Sequence, residues 1–348
     1  MNLLFAISLV LVHYSASINP LKFWPTAFLG LIYPLLLLVV VFLFIIQVFS
    51  KAKRLALLPL IALLITWSSN KANFSISGSS SKLEQISIMT WNVKNFDLYN
   101  WSGNEDTRAK ILNLLEENKP DILCLQEFYT EDKGKFTNLK DIKKLLNYSH
   151  VYFAKTYSSN ENSHWGLVIF SNFKILDTGK LTFVEGTRLN SCMYTDLEIN
   201  SNQNIRLYNL HLQSNQFAKE DYDFIQNFGD NQDGKSVEKI ISKLKKGYIN
   251  RAKQSQQVVE SLASSPYPSI ICGDFNDTPV SFAYRTLSKN KKDAFIEKGM
   301  GFGKTYVNPS PFLRIDYLLF DTIFTVNSYK RLNEELSDHY PILVKFSI

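Results

Sequence analysis

No acidic residue precedes Glu84, and from Phe23 to Ser50 the chain carries no charge of either sign. A stretch that long without charge cannot face water as a loop, and it exceeds what a small buried core helix needs. Residues 26–49, TAFLGLIYPLLLLVVVFLFIIQVF, are long enough to cross a bilayer. Pro34 is tolerable in a membrane helix, and Trp24 and Tyr33 suit an interfacial end. Two shorter apolar runs flank it. Residues 3–12 extend through His13 towards a first crossing; a signal-peptide core is the alternative, but the charged leader is missing. Residues 55–67 follow the basic patch Lys51, Lys53 and Arg54, and at 13 residues they are short for a span. Basic patches stay on the cytoplasmic side. Three crossings therefore put whatever follows outside the cytoplasm. The expected layout is an anchor of three hydrophobic helices over 1–68, a Ser- and Gly-rich flexible tether over 69–84, and a folded domain over 85–348.

The net charge of +6 belongs mostly to the anchor. Setting aside Lys22, Lys51, Lys53 and Arg54 leaves the remainder near +2, with all 32 acids in it. That balance does not mark a duplex-binding protein, and Lys243, Lys245 and Lys246 read as a solvated helix face. Cys124, Cys192 and Cys272 are odd in number and lack CxxC spacing, and Cys124 and Cys272 lie in apolar runs as small buried hydrophobes.

Apolar runs of strand length occupy 85–92, 121–127, 165–171, 192–199, 205–212, 268–274, 316–320 and 340–347. Helical periodicity marks 105–118, 236–263 and 281–288. So many strands with so few helices predict an α/β domain with mixed pairing and more than one sheet. Polar residues gather where the apolar runs end or begin: Asn92, Glu127, His211, Asp274, Asn276, Asp316, Asp338 and His339. One such residue is usually a turn former; eight are not explained that way. Strand ends can converge on one rim. Glu127, Asp274, Asp316 and Asp338 gathered there would repel unless a cation neutralised them. Oxygen donors suit Mg²⁺, Mn²⁺ or Ca²⁺ rather than zinc. Two histidines and two amides add phosphate-oxygen donors and proton-transfer candidates. The reaction class is metal-assisted hydrolysis of a phosphate ester.

Six segments in order, TWNVKNF (90–96), DILCLQE (121–127), NLHLQS (209–214), GDFNDTP (273–279), RIDYLLF (314–320) and SDHYPI (337–342), resemble the endonuclease/exonuclease/phosphatase superfamily of DNase I-like nucleases, sphingomyelinases and inositol phosphatases. The resemblance covers nearly all of 85–348. It implies a four-layer sandwich of two mixed β-sheets flanked by helices. It implies Mg²⁺ or Mn²⁺ held by Glu127 as principal ligand, with Asn92 supporting and Asp338 directly or through water. It implies that Asp274 and Asn276 position or deprotonate the attacking water, and that His211 holds the scissile phosphate. His339 would contact the phosphate while Asp316 holds its other ring nitrogen. Strand alternation agrees, since Asp338 and His339 as neighbours would point apart. Two departures from the AP-endonuclease pattern, Lys94 in place of an acid and His211 in place of a tyrosine, move the chain away from abasic-site repair. The layout is similar to membrane-tethered bacterial members, implying an inner-membrane protein with an external catalytic domain.

Several residues carry blander readings. His13, His150 and His164 read as structural or surface, Arg251 as a surface ion pair, and Asp277 as closing the turn before Pro279. GFGKTY (301–306) fails as a P-loop because the spacing puts Lys298 where glycine is needed; Lys304 and Thr305 are expected to flank substrate. The functional expectation is a membrane-anchored phosphoesterase working by in-line water attack. The alternative is a non-catalytic module of the same fold that binds a phosphorylated ligand or lipid. Nucleic acid, phospholipid headgroup and sugar phosphate all remain open as substrates, the bilayer is the partner of the anchor, and no protein partner is inferable. A transporter is disfavoured, because the spans carry no intramembrane charge.

Overall fold

A computed structural model describes residues 2–51, 53–78, 85–183, 190–226, 234–307 and 310–348. Among them, twelve strands form two six-stranded sheets: β1 Ile86–Asn92, β2 Ile122–Glu131, β3 His150–Ser158, β4 Ser163–Ser171, β5 Lys174–Thr182, β6 Ser191–Asn200, β7 Gln203–His211, β8 Ser269–Asp274, β9 Lys291–Asp293, β10 Asp316–Asp321, β11 Thr325–Arg331 and β12 Ile342–Ser347. The first sheet has the order β11-β12-β1-β2-β4-β3 and the second β9-β10-β8-β7-β6-β5. Both are mixed in the same way. One parallel pair, β1 with β2 or β7 with β8, lies at the centre, and every other pairing is antiparallel.

The central strands are apolar on both faces because both faces are covered. Ile88, Cys124, Ile270 and Leu318 point between the sheets, while their neighbours Met89, Leu123, Ile271 and Leu319 point outward under helices. Helices Thr107–Asn118 and Asn138–Leu145 cover the first sheet through Leu114 and Ile142. Helices Gly234–Ala263 and Phe282–Leu287 cover the second through Val258 and Ala283. The result is the four-layer sandwich.

The N-terminal region is a separate apolar bundle. Helices Asn2–Ser15, Tyr33–Phe49 and Leu57–Ile65 pack on one another through Leu9, Val12, Leu37, Val40 and Ala62. Their outer faces expose Leu4, Leu11, Phe42 and Leu64, each about three-fifths accessible. An apolar surface of that extent is unstable in water. Among the described residues one helix, Pro20–Phe49, is long and apolar enough to cross a membrane, the pair Lys53–Ile65 and Trp67–Asn73 passes the same test only if its 74° bend is one broken span, and Asn2–Ser15 is shorter. Part of the expected span does something else. Trp24–Ile32 winds as a 3₁₀ helix, with prolines at both of its ends, and leans on the folded domain. The Phe28 ring lies 5.4 Å from Tyr248. A Cβ on Gly30 would sit 2.1 Å from the Val280 carbonyl oxygen, so only glycine permits this approach. Tyr33 does not face outward but is buried, its hydroxyl donating to Asn70 Oδ1 at 2.7 Å.

The segment expected to be a flexible tether is ordered in its first half. Trp67–Asn73 is helical, and Ser75–Ile76 pairs antiparallel with Met300–Gly301. Arg314 donates to the Ala72 carbonyl at 2.8 Å, and Ser75 Oγ to that of Ile296 at 3.3 Å, which ties this chain to the domain. Residues 79–84 lie outside the described residues.

Candidate active site

Topology explains why the polar residues meet. In each sheet the central parallel pair points its C-terminal ends the same way, and the antiparallel neighbours begin where those strands end. Asn92 closes β1, His211 closes β7, Asp274 closes β8 and Asp316 opens β10. Register makes His211, Asp274 and Asp316 direct neighbours across three strands. Gly273 allows the tight β7–β8 contact: its φ is 129°, and a Cβ there would lie 2.0 Å from the Leu210 carbonyl oxygen. Glu127 arrives differently. It sits within β2 at a break in register between Leu125 and Phe128, with φ of 47°. A bulge of this kind re-aims a side chain, and here it turns Glu127 into the site.

Asn92 ties the two sheets together. Its Nδ2 donates to Glu127 Oε1 at 3.2 Å and to Asp274 Oδ2 at 3.1 Å, and its Oδ1 accepts from the Lys94 amide. Asp274 Oδ1 accepts from the Asn276 amide at 2.8 Å, and Oδ2 from Asn276 Nδ2 at 3.1 Å. His211 Nε2 lies 3.6 Å from Asp274 Oδ2 and 3.7 Å from Glu127 Oε1. Asp338 and His339 part company as strand alternation requires. Asp338 Oδ2 meets Lys94 Nζ at 3.1 Å, whereas His339 Nδ1 lies 2.9 Å from Asp316 Oδ2. His339 Nε2 is then aimed at Asp274 Oδ2, 3.6 Å away. All eight residues singled out in the sequence therefore converge on one end of the sandwich.

The charges are unequal. Burial pushes the Glu127 carboxyl up, and the nearby Asp338 charge adds to it. Burial also raises Asp274, with His339 opposing and Asp316 reinforcing. Burial works against the Asp338 anion too, but His339 and Lys94 outweigh it and hold that carboxyl low. Burial opposes the His339 cation, yet Asp316 and Asp274 hold its imidazolium up to about 10.

Two groups of donors could take a cation. Asp274, Asp316 and His339 offer ligand atoms within 4.8 Å of one another. In that group, however, His339 Nδ1 is engaged with Asp316, and Asp274 already accepts three hydrogen bonds. Glu127 and Asp338, with the Asn92 amide, form an oxygen-donor set whose mutual repulsion a divalent ion would relieve. The donor chemistry fits Mg²⁺ or Mn²⁺.

A family model described as Endonuclease/Exonuclease/phosphatase family matches residues 89–237 and 244–339. The chain belongs to this endonuclease/exonuclease/phosphatase family. A second model, described as a domain of unknown function (DUF8431), matches residues 1–73, the apolar bundle. No curated protein sequence matches the chain. Solved structures share the fold. An endonuclease/exonuclease/phosphatase from Beutenbergia cavernae superposes with a TM-score of 0.54 at 16% identity, covering 76% of this chain and 72% of that one. A mannosyl-6-phosphatase from Bacteroides thetaiotaomicron gives 0.55 at 16% identity, covering 76% and 100%. The catalytic domain of human nocturnin gives 0.53 at 19% identity, covering 76% and 94%.

Other parts of this endonuclease/exonuclease/phosphatase domain differ from expectation or add to it. Arg251 is not on the surface: it is buried, donates from Nε to Asp277 Oδ2 at 2.9 Å, and braces the Gln213 carbonyl. Lys243 pairs with Asp221, and Lys245 stacks on Trp24, so this helix face is partly engaged. Thr305 is fully buried and accepts the Ile315 and Asp316 amides, so it supports the site from beneath rather than flanking substrate. The next residue, Tyr306, packs its ring edge-on against His339 at 5.0 Å. A buried layer below the site went unread. Gln126 donates to Asn209 Oδ1 at 2.7 Å and to Thr90 Oγ1, and Asn209 donates on to the Leu125 and Val168 carbonyls. Asn209 stands two residues before His211, on the same face of β7, and that spacing was the available signal.

Proposed function

We propose that the chain is a membrane-anchored, divalent-metal-dependent phosphoesterase. The observation that supports it is the row His211–Asp274–Asp316 on one sheet, met by Asn92 and Glu127 from the other and by His339 from the loop between β11 and β12. Glu127 and Asp338, helped by Asn92, would hold the ion. When bound, the ion neutralises the phosphate oxygens and the two carboxylates. His339, cationic through its pairing with Asp316, presents Nε2 as a donor to a phosphate oxygen. Asp274, oriented by the Asn276 amide and side chain, takes the position from which a water is aligned and relieved of its proton. His211, its Nε2 between Glu127 at 3.7 Å and Asp274 at 3.6 Å, completes the donor set.

The anchor reading rests on the exposed apolar faces of the bundle. His13 Nδ1 meets Ser69 Oγ at 2.8 Å, and Tyr33 reaches Asn70, so these ends of the helices share the side of the domain. The helix Tyr33–Phe49 begins at that end, and its opposite end leads to Lys51, Lys53 and Arg54. With basic residues cytoplasmic, the domain would stand outside. Hydrolysis of bis(p-nitrophenyl) phosphate by the full chain, with and without EDTA, tests the activity. Turnover that survives both EDTA and Glu127→Ala refutes it.

A further inference from the structure

The junction between bundle and domain holds a cavity of about 570 Å³ that the catalytic chemistry does not use. One wall comes from the bundle ends, with Ala16, Ser68 and Ser69, and the other from the domain, with Arg285, Lys289 and Lys291. The cations are not equivalent. Lys291 is committed to Asp321 and to Ser269 Oγ at 2.7 Å. The acid on this wall, Asp293, is taken by Arg314 at 2.8 Å and by the Tyr284 hydroxyl at 2.7 Å. Arg285 and Lys289 are exposed, and among the described residues neither side chain has an ion-pair partner.

The depth of the cavity relative to the apolar surface decides what fills it. Along the third helix, Ile61, Leu64 and Ile65 are exposed hydrocarbon. Trp67, 59% exposed, follows, and Ser68 on the cavity wall comes next. Tyr14, 52% exposed, similarly precedes Ala16. Aromatics at such a border mark the headgroup level. Two unpaired cations and the exposed Ser68 hydroxyl in a cleft at that level match the phosphodiester of an acidic lipid, while Ser69 is held by His13.

We propose that this cavity binds the headgroup of an anionic phospholipid in the leaflet beneath the domain. The acyl chains would lie along the exposed faces of Leu11, Leu64 and Ile65, and the phosphate would meet Arg285 and Lys289. The inference rests on the bundle being embedded in a bilayer. The test uses the full chain in nanodiscs of phosphatidylcholine containing a minor fraction of phosphatidylglycerol. Lipid retained after detergent washing is then identified by native mass spectrometry. Each cation near a lipid surface contributes about five-fold in affinity, so Arg285→Gln with Lys289→Gln should lower phosphatidylglycerol retention on the order of twenty-fold. Both positions are exposed, and unchanged phosphoesterase turnover certifies the fold. Lys289→Glu alone should reverse the preference towards phosphatidylcholine. Equal phosphatidylglycerol retention by wild type and double variant overturns the proposal. So does displacement of the lipid by millimolar inorganic phosphate, which would assign the cavity to a soluble phosphate. A chain that fails to enter nanodiscs refutes the anchor itself, an outcome distinct from embedding without lipid preference.

Discussion

Replacing Asp316 by Asn separates the two halves of the SDH segment. The carboxylate lies 2.9 and 3.1 Å from His339 Nδ1 through its two oxygens, and both residues are buried. Asp316 is the foremost of the charges that hold His339 up at about 10 against the pull of burial from its ordinary 6.5. An amide of the same shape keeps the packing and removes the charge. His339 would then fall back towards neutrality, because burial still opposes its cation and only Asp274 and, more weakly, Asp338 are left to support it. At neutral pH the variant would lose the positive charge on the ring that faces the phosphate. Removal of a positioned acid–base group typically costs 10²- to 10⁴-fold, and we expect about 10²- to 10³-fold in kcat because the ring itself remains. The pH profile is the sharper readout. In wild type the alkaline limb should follow His339 near 10, whereas in Asp316→Asn it should move down by more than one unit. Stability changes with the same sign. A histidine whose folded value is raised contributes stability that is fully present below about 6.5 and lost as pH rises through about 10. The variant should lack that alkaline loss. Steady-state hydrolysis of bis(p-nitrophenyl) phosphate from pH 5 to 10.5, beside Asp338→Asn, is the assay. Asp338→Asn should shift the Mg²⁺ requirement and move the alkaline limb much less than Asp316→Asn does, since Asp338 is the lesser support of His339. An unmoved limb in Asp316→Asn, or the same profile in both variants, would refute the pairing.

Three further outcomes follow from the same geometry. Because burial and Asp338 raise Glu127, protons should compete with the ion as pH falls: Mg²⁺ affinity from titration of activity should weaken about ten-fold per pH unit once Glu127 protonates, and Glu127→Gln should abolish that slope. Arg251→Met leaves Asp277 buried and unpaired and should cost about 3–5 kcal/mol in denaturant unfolding, most of it recovered in Arg251→Met with Asp277→Leu. Gly30→Leu forces a side chain into the Val280 carbonyl and should lower the thermal midpoint by the equivalent of about 1–3 kcal/mol; an unchanged midpoint would mean that the bundle does not pack against the domain this closely.

The strands read from the sequence were the central ones, and the four it missed, β3, β5, β9 and β11, are the four sheet edges. The physical reason is coverage. A central strand buries both faces and shows a continuous apolar run, whereas an edge strand such as β5 is largely exposed and reads as loop. The site lay on the legible strands because a site at the ends of central parallel pairs inherits their signal. Glu127 was found by its motif, but nothing in DILCLQE announces that the backbone turns left-handed to deliver it. The buried Arg251–Asp277 pair was hidden for a similar reason, since one residue sits on a helix read as solvated and the other in a turn.

The junction was the least legible part, and it changes what the anchor means. Composition made 26–49 a span, but composition cannot distinguish hydrocarbon facing lipid from hydrocarbon facing a protein surface. Phe28 and Gly30 belong to the second kind: they meet Tyr248 on the long helix and Val280 just beyond the turn that carries Asp274, Asn276 and Asp277. A tether would leave the domain free to tumble above the bilayer. Docking through Gly30, reinforced where Arg314 grips Ala72 and Ser75–Ile76 joins Met300–Gly301, holds the domain against the bundle instead. With the bundle embedded as proposed, the site would then face one direction relative to the membrane, whereas a tethered domain would sample many.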